Sequence, residues 1–458
     1  MSNKIRFYFA MLAAKGARVG LRMLGRQASC TPGIIALKIC PDFLGHLKMP
    51  STTVCVTGTN GKTTTSNLIA SVLTDCGYSV TNNSYGSNIQ AGVTSALIAD
   101  STFTGKPKKE IAVLEVDERS SLLVYKYITP DILLCNNIMR DSLKRNAHTE
   151  FISFIINKAV PASTKLVLNA DDIICSRLAP QNKDRVYFGL DAEIPQKSAE
   201  GMNRDITYCP ECGFPLVAEY IRYNHIGRVH CSECDLCSPD RDFNITDIDR
   251  ENLTFTVSHD GKTEKYKLVN DNLVNIYNCC GAVAVLTLLG LSYEQISKSF
   301  DKQKIVRSRF DRFTAGKLNV TMQLAKGQNP VACARAFSYV VSYPGQKKSL
   351  LIMTDDKSDN TNNSESTCWL YDCDYSALTD PSIDEIIFAG KRCRDQRLRA
   401  LLAGVDGRKI KITDDAASGA DFVDTDNHTD ICVLYDPYIL AEADVVKQKL
   451  IEKGGKAL

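Results

Sequence analysis

The chain has 458 residues, with 55 Lys and Arg against 53 Asp and Glu, a formal net charge of +2, 44% hydrophobic and 24% charged residues, and 18 Cys. At roughly 150 residues per domain this is about three domains, each long enough to bury a core, which excludes a disordered, collagenous or coiled-coil protein. The balanced charge excludes a generally basic nucleic-acid binder and requires any anionic partner to be held at a local site.

The first predicted element, over 4–26, is a basic, partly amphipathic helix. Two uses are open to it: packing on the first domain, or contact with a membrane surface through Arg18, Arg22 and Arg26. The apolar stretch 7–14 is interrupted by Lys15 and Arg18 and lacks a small-residue cleavage site, so it does not read as a signal peptide. No run reaches the roughly 18 to 20 apolar residues that a membrane span needs. With no secretion signal, the cysteines are expected to be reduced and the chain cytoplasmic.

From residue 52 to about 190, strands at 53–57, 111–116, 132–136 and 165–169 alternate with helical patterns, which predicts a parallel sheet with helices on both faces. Residues 205–242 break this rhythm as a Cys-rich, turn-rich insert. A hairpin (253–257 and 265–269, turning at Asp260-Gly261) and a helix over 272–289 follow. A third region repeats the α/β rhythm with strands at 319–324, 349–353, 385–388, 409–412 and 431–434. The predicted organisation is a lead-in segment at 1–50, an α/β domain at 51–311 carrying the insert, and a C-terminal α/β domain at 312–458.

The strongest motif follows the first strand: Gly58, Thr59, Asn60, Gly61, Lys62, Thr63 and Thr64. Small residues let backbone N–H groups converge on phosphate oxygens, and the helix that follows presents its positive end to them. Lys62 would reach the β- and γ-phosphates and the Thr63 hydroxyl would hold Mg²⁺. Only Thr59 and Asn60 separate the glycines, where the common phosphate loop has four residues. Mg²⁺ prefers oxygen ligands, and Glu115, at the end of the second predicted strand, is the first choice; Asp117 and Glu118 read as solvated loop charges. Asn137 and Asp141 follow the third strand, where a sheet edge would approach the same phosphates.

Cys209 and Cys212 form one C-x-x-C pair, and eighteen residues later Cys231 and Cys234 form another, the spacing of a tetrahedral structural Zn²⁺ ribbon. Cys234 with Cys237 is an alternative pair, and His225 and His230 lie nearby. A redox pair is the competing chemistry, but no thioredoxin-like unit surrounds it. The other fourteen Cys read as small core hydrophobes, with Cys333, Cys368 and Cys393 left open as reactive thiols.

Together these residues resemble the Mur ligase family, and within it the MurT-type synthetase subunits of lipid II isoglutaminyl synthase. The resemblance is carried by the 57–65 loop, Thr31-Pro-Gly with Ala36-Leu-Lys-Ile, the 113–118 and 137–141 runs, the four-Cys insert, and Asn275-Ile-Tyr-Asn278. It implies a central ATPase domain of the Mur type with an inserted zinc ribbon, and a Rossmann-like C-terminal domain. It also implies ATP, Mg²⁺ and Zn²⁺ as cofactors. Asn275 and Asn278 would face adenine, and Arg309 would pair with phosphate or base. Ser142 stands where Mur ligases have a metal-associated His, which leaves any second metal site unassigned.

The resemblance further implies a partner, a GatD-type glutaminase subunit whose catalytic triad is completed by an Asp from this chain. Without gaps that position is Ser366; Glu365 would substitute after a one-residue shift, and Asp355, Asp356 and Asp359 are alternatives if the loop realigns. A Ser cannot orient and stabilise a histidinium as a carboxylate does. The implied reaction is ATP-dependent amidation of the D-Glu α-carboxylate of the lipid II stem peptide. Two rivals stand beside it: an amino-acid ligase of the Mur or folylpolyglutamate type, and a non-catalytic zinc module contacting nucleic acid through Tyr220, Arg222, Tyr223 and Arg228.

Overall fold

A computed structural model describes residues 3–84, 87–141, 148–191, 204–268, 270–302, 310–325, 329–343, 345, 347–354, 367–436 and 438–455. The described residues divide into two compact units, one drawn from 1–139, 148–198 and 205–305, the other from 140–147, 199–204 and 306–458.

In the first unit, α1 (Asn3–Met23) and α2 (Thr31–Ile39) lead into β1 (Thr52–Thr57), α3 (Lys62–Asp75), β2 (Val80–Asn82), α4 (Gln90–Ala99), β3 (Ile111–Glu115), α5 (Ser121–Val124) and β4 (Ile132–Cys135). Then come α6 (Thr149–Ala159), β5 (Lys165–Asn169), β6 (Arg185–Leu190), β7 (Leu216–Tyr223), β8 (Ile226–Cys231), β9 (Phe243–Asp249), β10 (Thr254–His259), β11 (Lys262–Lys267), α7 (Leu273–Leu288) and α8 (Tyr293–Phe300). A nine-stranded sheet runs β11-β10-β9-β6-β5-β4-β1-β3-β2, parallel from β2 to β9. Its central strands are buried along nearly their whole length, as covered parallel strands must be. The register sets Val56 beside Glu115 and Thr57 beside Cys135, so the chain leaves β1 between the ends of β3 and β4.

Two expectations change here. The hairpin turns at Asp260-Gly261, both at positive φ as a tight Asp-Gly turn requires, but it joins the same sheet antiparallel to β9 and makes that sheet mixed. The strands β2, β6 and β9 had no clear signal: β2 has three residues, and β9 carries Asn244, Asp247 and Asp249 among its apolar positions.

The N-terminal helix packs on its own unit. Phe7, Ala10, Met11 and Ala14 are buried, and α1 lies against α2 and α4. Lys15 donates to Ile98 O at 2.9 Å and Ser101 O at 2.7 Å, and Arg18 donates to Ala99 O at 3.0 Å. These cations cap the carbonyl end of α4, where positive charge is favoured. Arg18, expected as a membrane contact, is therefore engaged within the fold.

The second unit contains β12 (Phe310–Ala315), β13 (Leu318–Leu324), α9 (Pro330–Ser342), β14 (Lys348–Met353), α10 (Cys368–Asp372), β15 (Ile383–Ala389), α11 (Cys393–Leu402), β16 (Ile410–Thr413), β17 (Asp430–Tyr435) and α12 (Leu440–Gly455). Its sheet runs β12-β13-β17-β14-β15-β16 and is parallel except for β12. Apolar side chains from both faces form two cores. All 18 cysteines are free of disulfides; Cys55, Cys135, Cys279, Cys280, Cys333, Cys393 and Cys432 are buried, and Cys368 is exposed. Among the described residues no helix is long and apolar enough to cross a membrane.

Candidate functional site: a phosphate loop and a four-cysteine cluster

The loop after β1 is built by close approach. Gly58 (φ 121°) lies against the backbone of Asn136 and Asn137, and Gly61 (φ 87°) lies against the Asn278 side chain. A Cβ on Gly61 would sit 2.1 Å from Asn278 Oδ1, so glycine is required there by both conformation and space. Asn137 clamps the loop from the β4 side: its O accepts from Thr59 N at 2.8 Å, its Oδ1 from Asn60 N at 2.9 Å, and its Nδ2 donates to Asn60 O at 3.1 Å. Thr59 Oγ1 donates to Met139 O and accepts from Met139 N. Held in this way, the loop delivers the N-terminus of α3, where Thr63 and Thr64 are exposed.

Lys62 turns back across the loop. Its Nζ donates to Gly58 O at 2.5 Å and to Glu118 Oε1 at 2.8 Å. Their side chains are only 12% and 1% exposed. Burial alone would lower the Lys62 ammonium, but Glu118 first, then Asp117 and Glu115, outweigh it and hold the group above its ordinary value. Glu118 and Asp117 are thus buried members of the cluster, not solvated charges. Serine and aspartate caps bend the chain after β3 inward: Ser121 Oγ donates to Glu118 O, and Arg119 N donates to Asp117 Oδ1.

Glu115 is buried too. Asn83 accepts from its N–H and donates to its carbonyl, both at 2.8 Å, while Asn88 Nδ2 donates to Oε1 at 2.9 Å. A carboxylate fixed in this way, with the Thr63 hydroxyl exposed on the neighbouring loop, is the hard oxygen donor chemistry that Mg²⁺ prefers.

On α7, Asn275 and Asn278 share a face one turn apart. Asn275 Nδ2 donates to Asn270 O at 3.1 Å, and Asn278 presses on Gly61, its buried Oδ1 without a hydrogen-bond partner. Asn278 therefore meets the phosphate loop itself. Asp141 belongs to the second unit, where it accepts from Asn329 Nδ2 at 2.9 Å. Arg309, Ser142, Asp355, Asp356, Asp359, Glu365 and Ser366 lie outside the described residues.

The insert brings Cys209, Cys212, Cys231 and Cys234 together, their sulfurs all within 4.8 Å of one another. Sulfur separations are 3.3 Å for Cys212–Cys231 and 3.6 Å for Cys209–Cys234 and Cys212–Cys234. Those spacings suit the edges of a tetrahedron about Zn²⁺, roughly 3.8 Å for Zn–S bonds of about 2.3 Å. In each knuckle the N–H two residues on, Glu211 or Glu233, points at the first sulfur at 3.4 Å. Burial works against a Cys209 thiolate, but the N–H groups of Cys212 and Glu211 outweigh it and bring the thiol down to about 6. At Cys234 the Leu236 N–H favours the thiolate, yet burial and the adjacent sulfurs push the thiol up to about 12. A cation among the sulfurs would remove that conflict, so the donor set fits Zn²⁺. The alternative ligands fall elsewhere: Cys237 bridges to His230 in the sheet, and His225 Nε2 meets Asp172 Oδ1 at 2.9 Å.

The insert's candidate nucleic-acid contacts are spent internally. Arg222 donates to Leu190 O and stacks on Tyr220, Arg228 pairs with Glu219 and Asp240, and Tyr223 is buried. Sequence reasoning also missed Asp171 and Asp172, a fully buried pair after β5. Asp172 Oδ2 accepts from Ile138 N at 2.7 Å, and Asp171 accepts from Tyr277 and Arg241. An Asp-Asp pair closing an apolar strand was the available signal.

A parallel sheet whose first strand opens into this loop, with buried carboxylates from the next strand, defines a phosphate-loop ATPase core of the Mur type. Residues 56–213 match the Mur ligase middle domain and residues 326–437 the MurT ligase C-terminal domain. A pseudomurein peptide ligase type C from Methanothermus fervidus has the same fold, with a TM-score of 0.67 at 20% identity over 90% of this chain and 81% of that one. The chain is 34% identical over 408 residues to the lipid II isoglutaminyl synthase (glutamine-hydrolyzing) subunit MurT of Staphylococcus aureus (strain COL), covering 88% of this chain and 89% of that protein. It is 32% identical over 411 residues to the subunit of the same name from Streptococcus pneumoniae (strain ATCC BAA-255 / R6), covering 88% of each. The chain belongs to the MurT family.

Proposed function

We propose that this chain is the synthetase subunit of a lipid II isoglutaminyl synthase, amidating the D-Glu α-carboxylate of the stem peptide in the cytoplasm. The observation that carries the reading is the glycine-cornered loop with buried Lys62 and its carboxylate cluster, in a chain of the MurT family. A carboxylate is a poor electrophile because oxide is a prohibitive leaving group. Attack of its oxygen on the γ-phosphorus of ATP expels ADP and leaves an acyl phosphate. Ammonia then attacks the acyl carbon, phosphate leaves, and a proton is released as the amide forms.

Lys62 and the N-terminus of α3 would hold and neutralise the phosphates, and Asn278 and Asn137 keep the loop in register. Glu115 and Thr63 would hold Mg²⁺, which supplies charge neutralisation at the β- and γ-phosphates. Arg309 and Asp141 are assigned to nucleotide or acyl-phosphate binding, and Asn275 to the base. The four cysteines of the insert would hold Zn²⁺ as a structural ion, with no position left for catalysis.

Ammonia is mostly protonated at neutral pH, so a GatD-type glutaminase partner is assigned to deliver it. Glu365 or Asp359 is assigned to that partner's triad in place of Ser366. The test supplies purified chain, with and without the glutaminase, with lipid II, ATP, Mg²⁺ and glutamine, and follows the stem peptide by mass spectrometry. Conversion of acid to amide is expected only with the glutaminase or with added ammonium. Addition of an amino acid refutes the reading. If Glu365→Ala, Asp359→Ala and Ser366→Ala all leave glutamine-dependent turnover intact, the triad assignment fails.

A further inference from the structure

We infer that α1 is a membrane-docking helix that seats the first unit on an anionic lipid surface. The helix has two apolar faces. Phe7, Ala10, Met11 and Ala14 are buried in the unit, while Ile5, Tyr8, Phe9, Leu12, Val19 and Met23 are each more than half exposed. At 100° per residue those six fall on one stripe opposite the buried face, and Leu24, 74% exposed, extends it past the helix end. The hydrogen bonds of Lys15 and Arg18 to the end of α4 fix the helix on its axis, so the stripe is held outward.

Charge identifies the occupant. The chain as a whole is nearly neutral, yet no Asp or Glu precedes Asp42, while Lys4, Arg6, Lys15, Arg18, Arg22, Arg26 and Lys38 do. Lys4 and Arg22 run along one flank of the stripe and Arg6 lies beyond the other, while Lys15 is engaged on α4. Lys4, Arg6, Arg22 and Arg26 are exposed. An apolar stripe with Tyr and Phe, bordered by cations and free of acids, has the form of a helix lying in the headgroup plane of an anionic bilayer. A second copy fits poorly, because pairing two such stripes would bring cations against cations with no carboxylate to offset them. The inference stands on α1 alone; the ligase reading adds only the reason for docking, a lipid-linked substrate.

The test floats the full chain with vesicles of phosphatidylcholine alone and of equal parts phosphatidylcholine and phosphatidylglycerol, without nucleotide or substrate. Binding is expected only to the anionic vesicles and is expected to weaken with added salt. Phe9→Ser with Leu12→Ser, and separately Arg22→Glu with Arg26→Glu, should each weaken binding about tenfold or more. Both pairs are exposed, so thermal unfolding and turnover of a water-soluble stem-peptide substrate should not change. Absence of binding to anionic vesicles, or binding that survives both double variants, overturns the inference. So does loss of self-association or of glutaminase binding in those variants, which would make the stripe a protein interface.

Discussion

Glu118→Gln tests the electrostatic reading of the phosphate loop, because it removes one charge and keeps the shape. The pair it breaks spans 2.8 Å between groups 12% and 1% exposed. With an effective dielectric of about 20, their direct attraction is roughly 6 kcal/mol, most of it offset by the desolvation of both ions. Removing one partner of a buried pair costs about 3–5 kcal/mol. Here Lys62 keeps Gly58 O, and Asp117 and Glu115 still act on it, so a loss of about 2–3 kcal/mol is expected in denaturant unfolding.

A double-mutant cycle with Lys62→Met isolates the pair and should return a coupling of about 1–3 kcal/mol. The pH dependence has a definite sign. Lys62 is raised above its ordinary 10.5 in the folded state, so its contribution is full below pH 10.5 and disappears only as the pH rises through the folded value. Coupling should therefore be flat from pH 7 to 9. A Glu118→Gln protein as stable as the parent, or a coupling that fades between pH 7 and 9, would show that Lys62 is not held by a buried carboxylate.

Gly61→Ala should lower nucleotide affinity more than tenfold by equilibrium binding; adding Asn278→Ala should recover part of it by removing the 2.1 Å clash, but not the strain of φ 87°, about 1–2 kcal/mol. The purified chain should carry one zinc by metal analysis, and Cys231→Ser should abolish it while the main unfolding transition of the first unit persists. His225→Ala removes a charge-assisted bond between groups 2% and 0% exposed and should cost about 2–3 kcal/mol in denaturant unfolding. Unchanged stability would mean that Asp172 is satisfied without His225.

Much of the first unit was legible because its signals are local. The short β-branched and apolar stretches of β1, β3, β4 and β5, alternating with helical patterns, read as covered strands, and the loop glycines sit where the backbone needs them. The clustering of the four cysteines was legible because the two C-x-x-C pairs are short, local signals. What escaped notice depends on long-range pairing. Glu118 reads as a loop charge until the turn after β3 carries it under Lys62, 56 residues away in sequence. Similarly, β6 and β9 pair across the whole insert, and only the folded register reveals that they share a sheet. The basic residues of the N-terminal segment looked equivalent in sequence, yet Lys15 and Arg18 cap α4 while Arg22 and, beyond the helix end, Arg26 remain exposed.

The turn after β5 explains how a small cysteine insert is tied to the loop after β1. Two buried carboxylates in succession are costly unless each is fully hydrogen-bonded. Asp171 accepts from Arg241 at the exit of the insert, from Leu190 N, and from Tyr277 on α7, and its carbonyl accepts from Gly227 in the β8 strand. Asp172 accepts from Ile174 N and Cys175 N, meets His225 from the insert, and receives Ile138 N. The partners matter because of what adjoins them: Tyr277 precedes Asn278, which packs on Gly61, and Ile138 follows Asn137, which clamps Asn60. The residues that hold both sides of the phosphate loop therefore adjoin donors to carboxylates that the insert also helps to satisfy. Loosening the insert would withdraw His225, Arg241 and Gly227 from this aspartate pair and leave Tyr277 and Ile138, which adjoin the loop's clamps, among its remaining anchors outside the turn. Loss of zinc should then weaken nucleotide binding although no cysteine touches nucleotide; equal affinity in zinc-free and zinc-loaded protein would refute the link.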